Sequence, residues 1–105
     1  MKRFLTITKV KPEKYDEYIE IHNNIFPEVV AASHECNTRN FTIFNFGYYL
    51  VNYSEYIGVD YEKDMLKKSQ MPAIIKWKKL TSACLEPVSP DHAALFLNEV
   101  FHCDF

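Results

Sequence analysis

Polar and apolar residues alternate from Lys2 to Val10 (Lys-Arg-Phe-Leu-Thr-Ile-Thr-Lys-Val), and the run is rich in β-formers, so it predicts a first strand. The period then changes. Pro12 suits the first turn of a helix, and Glu13, Asp16 and Glu17 place negative charge at its positive end. Tyr15, Tyr18, Ile19, His22, Phe26, Val29 and Val30 recur at three- and four-residue spacing, one stripe of a helix running to Ala32–His34. Asn40–Phe46 and Tyr48–Tyr56 are again strand-like. Gly47 between them supplies the positive φ that a chain reversal needs, which makes a hairpin. Asp60 is placed to cap a second helix over residues 61–70. Pro72 breaks that run and opens a further helical piece, Pro72–Cys84. Pro87 and Pro90 mark a loop, and Ala93–Phe101 closes the chain as a strand.

The order β-α-β-β-α-β is the split βαβ, or ferredoxin-like, arrangement of an α+β protein, with an antiparallel sheet against two helical segments. The strands are apolar on both sides: Phe41, Ile43 and Asn45 point one way, Thr42, Phe44 and Phe46 the other. Helices cover only one of these faces, so a two-fold partner is expected on the second, making a homodimer. At 105 residues the chain reads as a single domain, 1–105, without repeats or linkers.

Composition narrows the partners. Hydrophobic residues at 48% and charged residues at 25% are the balance of a globular protein. Twelve Lys+Arg against fourteen Asp+Glu leave no basic stripe to neutralise phosphates, so nucleic acid is not expected. Lys76-Trp77-Lys78-Lys79 comes nearest and reads as a solvated helix face. No apolar run of about 18 residues is present to span a bilayer, and the stretch after Met1-Lys2-Arg3 is too short for a signal-peptide core. Cys36, Cys84 and Cys103 are odd in number and widely spaced, which suits unpaired thiols in a reducing cytoplasm.

Candidate chemistry centres on the first helix. Tyr18 and His22 lie one turn apart, and a histidine in an apolar stripe is either a hydrogen-bonded core residue or a working acid/base. Pro27 cannot continue a regular helix, so a kink is expected just after His22, with freed carbonyls and the amides of Asn23 and Asn24 near the imidazole. Trp77, the only tryptophan, is core filler or a ring of a sugar pocket. The seven Tyr and eight Phe serve either purpose. His34-Glu35-Cys36 and His102-Cys103-Asp104 hold metal-ligand types without paired spacing, so no metal site is expected. His92 falls in the Pro-rich loop, and two glycines cannot make a phosphate-binding loop.

The run Tyr18-Ile19-Glu20-Ile21-His22-Asn23-Asn24-Ile25-Phe26-Pro27-Glu28 resembles the Y-x-x-x-H-x-x-[IV]-[WF]-P-E signature of the L-rhamnose mutarotases. Asn40-Phe41-Thr42-Ile43-Phe44 is similar to that family's N-[YF]-x-I strand, and Lys76-Trp77-Lys78 falls at its W-W-K element. Asn98-Glu99-Val100-Phe101-His102 is similar to its closing E-V-F-[HY], so the matches run in order over nearly the entire chain.

The resemblance implies a ferredoxin-like fold of the dimeric α+β barrel type and interconversion of the α- and β-anomers of a deoxy sugar. It implies no metal and no organic cofactor. It makes His22 the proton donor and puts Tyr18, Phe41, Lys76 and Trp77 at substrate-contact positions. Phe41 stands where the family often has Tyr, and Lys76 replaces the first Trp of a tandem pair. The monosaccharide is therefore L-rhamnose or a relative such as L-fucose. The alternatives are a non-enzymatic small-ligand binding module on the same scaffold and a cofactor-free oxygenase of similar topology. A second proton-transfer group is also required. Tyr18 qualifies only if its phenol falls below the ordinary pKa of about 10; otherwise it hydrogen-bonds, and water or a second use of His22 completes the cycle.

Overall fold

A computed structural model describes residues 1–105. The elements are β1 (Lys2–Val10), a single 3-10 turn (Pro12–Lys14), α1 (Tyr15–Asn23), α2 (Pro27–Glu35), β2 (Thr38–Phe46) and β3 (Tyr49–Tyr56), followed by α3 (Tyr61–Ser69), α4 (Pro72–Ser82), β4 (Leu85–Glu86) and β5 (Leu95–Leu97). The sheet is antiparallel in the order β2-β3-β1-β4, with β5 also on β1. This is the split βαβ order.

Its last strand comes in two pieces. Leu85 lies opposite Val10 and Glu86 opposite Lys9; after the excursion of residues 87–94, Leu95 to Leu97 lie opposite Ile7 to Leu5. The strand predicted over Ala93–Phe101 is therefore only Leu95–Leu97. Beyond it the chain is held by side chains instead of ladder bonds, with Arg3 reaching Glu99 at 3.3 Å and His102 at 2.9 Å.

The long apolar stripe is divided as well. Pro27 does not kink one helix; it starts a second. A residue before proline is pushed out of the helical region, and Phe26 is extended at φ −66°, ψ 133°, with Pro27 opening α2. Asn24 closes α1 by donating its N–H to the carbonyls of Glu20 and Ile21, both at 3.2 Å. The hairpin turns at Gly47, φ 59°, and Asp60 caps α3 by accepting from the Lys63 N–H at 3.2 Å.

One face of the sheet meets the helices. Val10 of β1 and Leu50 of β3 are buried with Tyr18 of α1 and Cys84, and Phe4 stacks on Tyr61 of α3 with centroids 4.5 Å apart. Alternation then assigns Thr6, Thr8, Asn52, Ser54 and Tyr56 to this same side. A second core cluster lies between helices: Val29 and Ala32 of α2 pack on Ile74 of α4, flanked by Phe26, Met71 and Trp77. The apolar interior is thus in two pieces. On the opposite face of the sheet Phe44 and Phe46 are 62% and 79% exposed, paired across the ladder with Val51 and Tyr49.

Candidate active site

Tyr18 faces the sheet because the stripe of α1 does. The residue is only 5% exposed, yet its hydroxyl bonds to nothing in the protein. No buried polar side-chain atom lacks a partner, so that oxygen reaches accessible space. Burial of the ring, with a smaller contribution from Cys84, pushes its pKa up to about 12. Tyr18 therefore stays protonated at neutral pH and acts as a hydrogen-bond donor or acceptor. It is no base.

His22, one turn on, is half-buried. Its Nδ1 lies 2.8 Å from the carbonyl oxygen of Tyr18. A carbonyl only accepts, so Nδ1 carries the hydrogen, and Nε2 is left without a protein partner. The imidazole is held between two rings, Tyr18 at 4.2 Å and Trp77 edge-on at 5.1 Å. Trp77 is half-buried on α4, and its other neighbour is Phe26 at 5.6 Å and 76°. The Asn24 amide makes no hydrogen bond to His22; its Nδ2 donates back to the Glu20 carbonyl at 2.9 Å, a normal way to close a helix end.

The remaining positions lie further out. Lys76 is exposed, with its ammonium 5.0 Å from the centre of the Phe26 ring, so it reaches His22 only through Phe26 and Trp77. Phe41 follows the β-bulge between Arg39 and Thr42, where Asn40 takes φ 52°. Alternation from Ile43, which packs on the core, puts Phe41 on the helix-facing side near the sheet edge, 58% exposed. The structure thus brings Tyr18, His22 and Trp77 together and leaves Phe41 and Lys76 at the periphery. Phe26 is the contact that sequence reasoning missed: the helical stripe and the signature both contain it, but neither gives it a place at the site, although the proline after it marks it as extended.

A hollow of about 320 Å³ runs along the neighbouring face of α1, lined by Glu17, Glu20, Ile21, Asn24, Phe26 and Leu80. Another of about 310 Å³ lies among Arg3, Tyr53, Leu97, Phe101 and His102. Neither includes His22. No three His, Cys, Asp or Glu side chains converge as a metal-ligand group.

Comparison with known proteins places this geometry in a family. The family model of L-rhamnose mutarotase matches residues 3–103. The L-rhamnose mutarotase of Oceanobacillus iheyensis is 33% identical, the alignment covering 99% of this chain and 100% of that protein. In fold, the crystal structure of an L-rhamnose mutarotase from Formosa agariphila superposes with a TM-score of 0.78 at 19% identity, covering 99% of this chain and 100% of that one. Tetracenomycin F2 cyclase from Streptomyces glaucescens superposes at 0.65 and 15% identity, covering 100% and 98%. The chain belongs to the L-rhamnose mutarotase family of carbohydrate isomerases.

Proposed function

We propose that this protein interconverts the α- and β-anomers of a free deoxy sugar, L-rhamnose first and L-fucose second, through acid/base catalysis by His22. One observation carries the reading. The Tyr18 carbonyl takes Nδ1–H and leaves Nε2 without a hydrogen-bond partner, in an imidazole whose ring centre lies 5.1 Å from that of Trp77.

In the protonated imidazole, Nε2–H donates its proton to the ring oxygen as the bond from that oxygen to the anomeric carbon breaks. The anomeric hydroxyl releases its proton to water, giving the open aldehyde. Rotation about the adjacent carbon–carbon bond presents the other carbonyl face. Closure then returns the ring-oxygen proton to Nε2, and the new anomeric oxygen takes one from water. The Tyr18 phenol, held near 12, hydrogen-bonds the sugar and does not abstract a proton. A positioned acid of this kind supplies about 10²–10⁴-fold, a useful gain for a reaction that water already supports. Trp77 offers a ring for the C–H face of the pyranose. Phe41 adds a ring without a hydroxyl, and Lys76 is drawn to Phe26.

The same reading makes the protein a cytoplasmic homodimer, with Phe44 and Phe46 of the uncovered sheet face against a second copy. Support comes from their exposure and from three free thiols.

The test is saturation-transfer NMR between α- and β-anomer signals of L-rhamnose and L-fucose. Wild type accelerates exchange, and His22→Ala loses at least about 10²-fold of it. Equal rates for the two proteins remove His22 from the mechanism. Because Phe41 lacks a hydroxyl and Lys76 stands in place of a ring, a binding module is the second reading; it predicts saturable sugar binding without any exchange.

A further inference from the structure

We infer that the sheet beneath His22 is the hydroxyl-binding floor of the site, formed by Thr6, Asn52 and Ser54. The inference rests on the reading of the protein as a sugar mutarotase and specifies how the sugar is gripped.

The helix-facing side of β1 and β3 begins as an ordinary core and then changes character. Val10 and Leu50 are fully buried against α1. Further along the same face the cross-strand pairs are Thr6 with Asn52 and Phe4 with Ser54. Polar groups there cost free energy unless they find partners. Asn52 finds partners for one end only. Its Nδ2 donates to the Thr6 carbonyl at 3.1 Å and the Thr8 hydroxyl at 3.2 Å, with the Leu50 carbonyl at 3.4 Å. Two of those three acceptors are backbone carbonyls, so the nitrogen must face them, and Oδ1 points elsewhere without a donor. The Thr6 and Ser54 hydroxyls likewise bond to nothing in the protein. Since no buried polar side-chain atom is unpartnered, all three oxygens keep some accessible surface, on the face of the sheet that alternation turns toward the helices.

That stretch of the sheet runs under α1 toward His22. Tyr15 of α1 meets Tyr48 at 5.9 Å, and Tyr18 shares a core cluster with Leu50, so α1 tracks β3 in the same direction. A helix rises about 1.5 Å per residue and a strand about 3.4 Å. Four residues from Tyr18 to His22 therefore advance about 6 Å, and two residues from Leu50 to Asn52 about 7 Å. His22 stands over the Thr6–Asn52 pair as Tyr18 stands over Leu50.

A pyranose suits such a pair of surfaces: rings on the helix side take its C–H surface, and oxygens on the sheet side take its hydroxyl edge. Asn52 Oδ1 can only accept, so it selects a free O–H, whereas Thr6 and Ser54 both donate and accept.

The Thr6→Val/Ser54→Ala double variant removes two hydroxyls that the fold does not use. Its melting temperature should match wild type, while KM for anomer exchange of L-rhamnose rises about tenfold or more and kcat stays within about twofold, the pattern of lost ground-state binding. Thr6→Ser, which keeps the hydroxyl, should restore the Thr6 share of that affinity. Asn52→Ala should raise KM and also lower the melting temperature, because it breaks the clamp on β1. Wild-type KM in the double variant overturns the floor and leaves His22 untouched. Should wild type exchange no sugar, L-rhamnose binding read by saturation-transfer difference NMR decides: binding lost in the double variant upholds the floor while the mutarotase reading falls, and no binding to wild type overturns both.

Discussion

Tyr18→Phe separates the two properties that the structure gives this residue. The hydroxyl bonds to nothing in the protein, so at pH 7 the variant should lie within about 0.5 kcal/mol of wild type. The pKa of about 12 implies a different result in alkali. A phenol titrates near 10 when unfolded, so the folded state favours its neutral form. That stabilisation is complete below pH 10 and is lost as pH rises from about 10 through 12. With these two values linkage gives a loss of about 1.4 kcal/mol at pH 11 and about 2.3 kcal/mol at pH 12. Tyr18→Phe is spared this loss. Because both proteins share every other titrating group, the difference between them isolates Tyr18. Melts followed by circular dichroism at equal protein concentration should show the variant gaining about 5–10 °C on wild type between pH 9 and pH 11. A gap that stays constant would mean that the phenol ionises normally, and Tyr18 would become a candidate for the second proton transfer.

Two further outcomes follow from the packing. The Asp64 carboxyl is held below its usual range, first by the Tyr56 hydroxyl at 2.5 Å and then by the Asn37 amide at 3.0 Å. A depressed pKa gives stability that is present above the ordinary carboxylate range and lost as pH falls through the folded value. The melting advantage of wild type over Asp64→Asn should accordingly shrink from pH 5 toward pH 2, and a constant advantage would deny the link between α3 and β3. On the open sheet face, Phe44→Glu with Phe46→Glu should convert a sedimenting dimer into a folded monomer; a wild type that is monomeric at tens of micromolar would refute the covered face.

Local pattern was enough for some of the fold and misleading for the rest. The alternation of β1, the positive φ of Gly47 and the cap at Asp60 stand as read, because each is set within a few residues. The stripe from Tyr15 to Val30 was legible as a face but not as two helices. Spacing of three and four carries phase across a gap, whereas continuity of the backbone was decided by Phe26 and Pro27. The two-residue β4 has no period to detect, and β5 depends on Leu5 to Ile7, some ninety positions away in the chain. Among the predicted contacts, Tyr18, His22 and Trp77 converge because both helices present their stripes to the same seam. The direction of Lys76 was not legible, since it follows Phe26, whose own place depends on the break.

That break decides how the site is exposed. In a continuous helix Phe26 would stand one turn beyond His22 on the same face and stack over the imidazole, as residues four apart do. The extended backbone at Phe26 carries its ring to Trp77 instead, 5.6 Å away, and α2 then packs on α4 as a separate core. His22 is left at the seam between two clusters, with Tyr18 belonging to one and Trp77 flanking the other. The proline that halts α1 thus accounts both for the divided core and for an imidazole whose Nε2 has no hydrogen-bond partner in the protein.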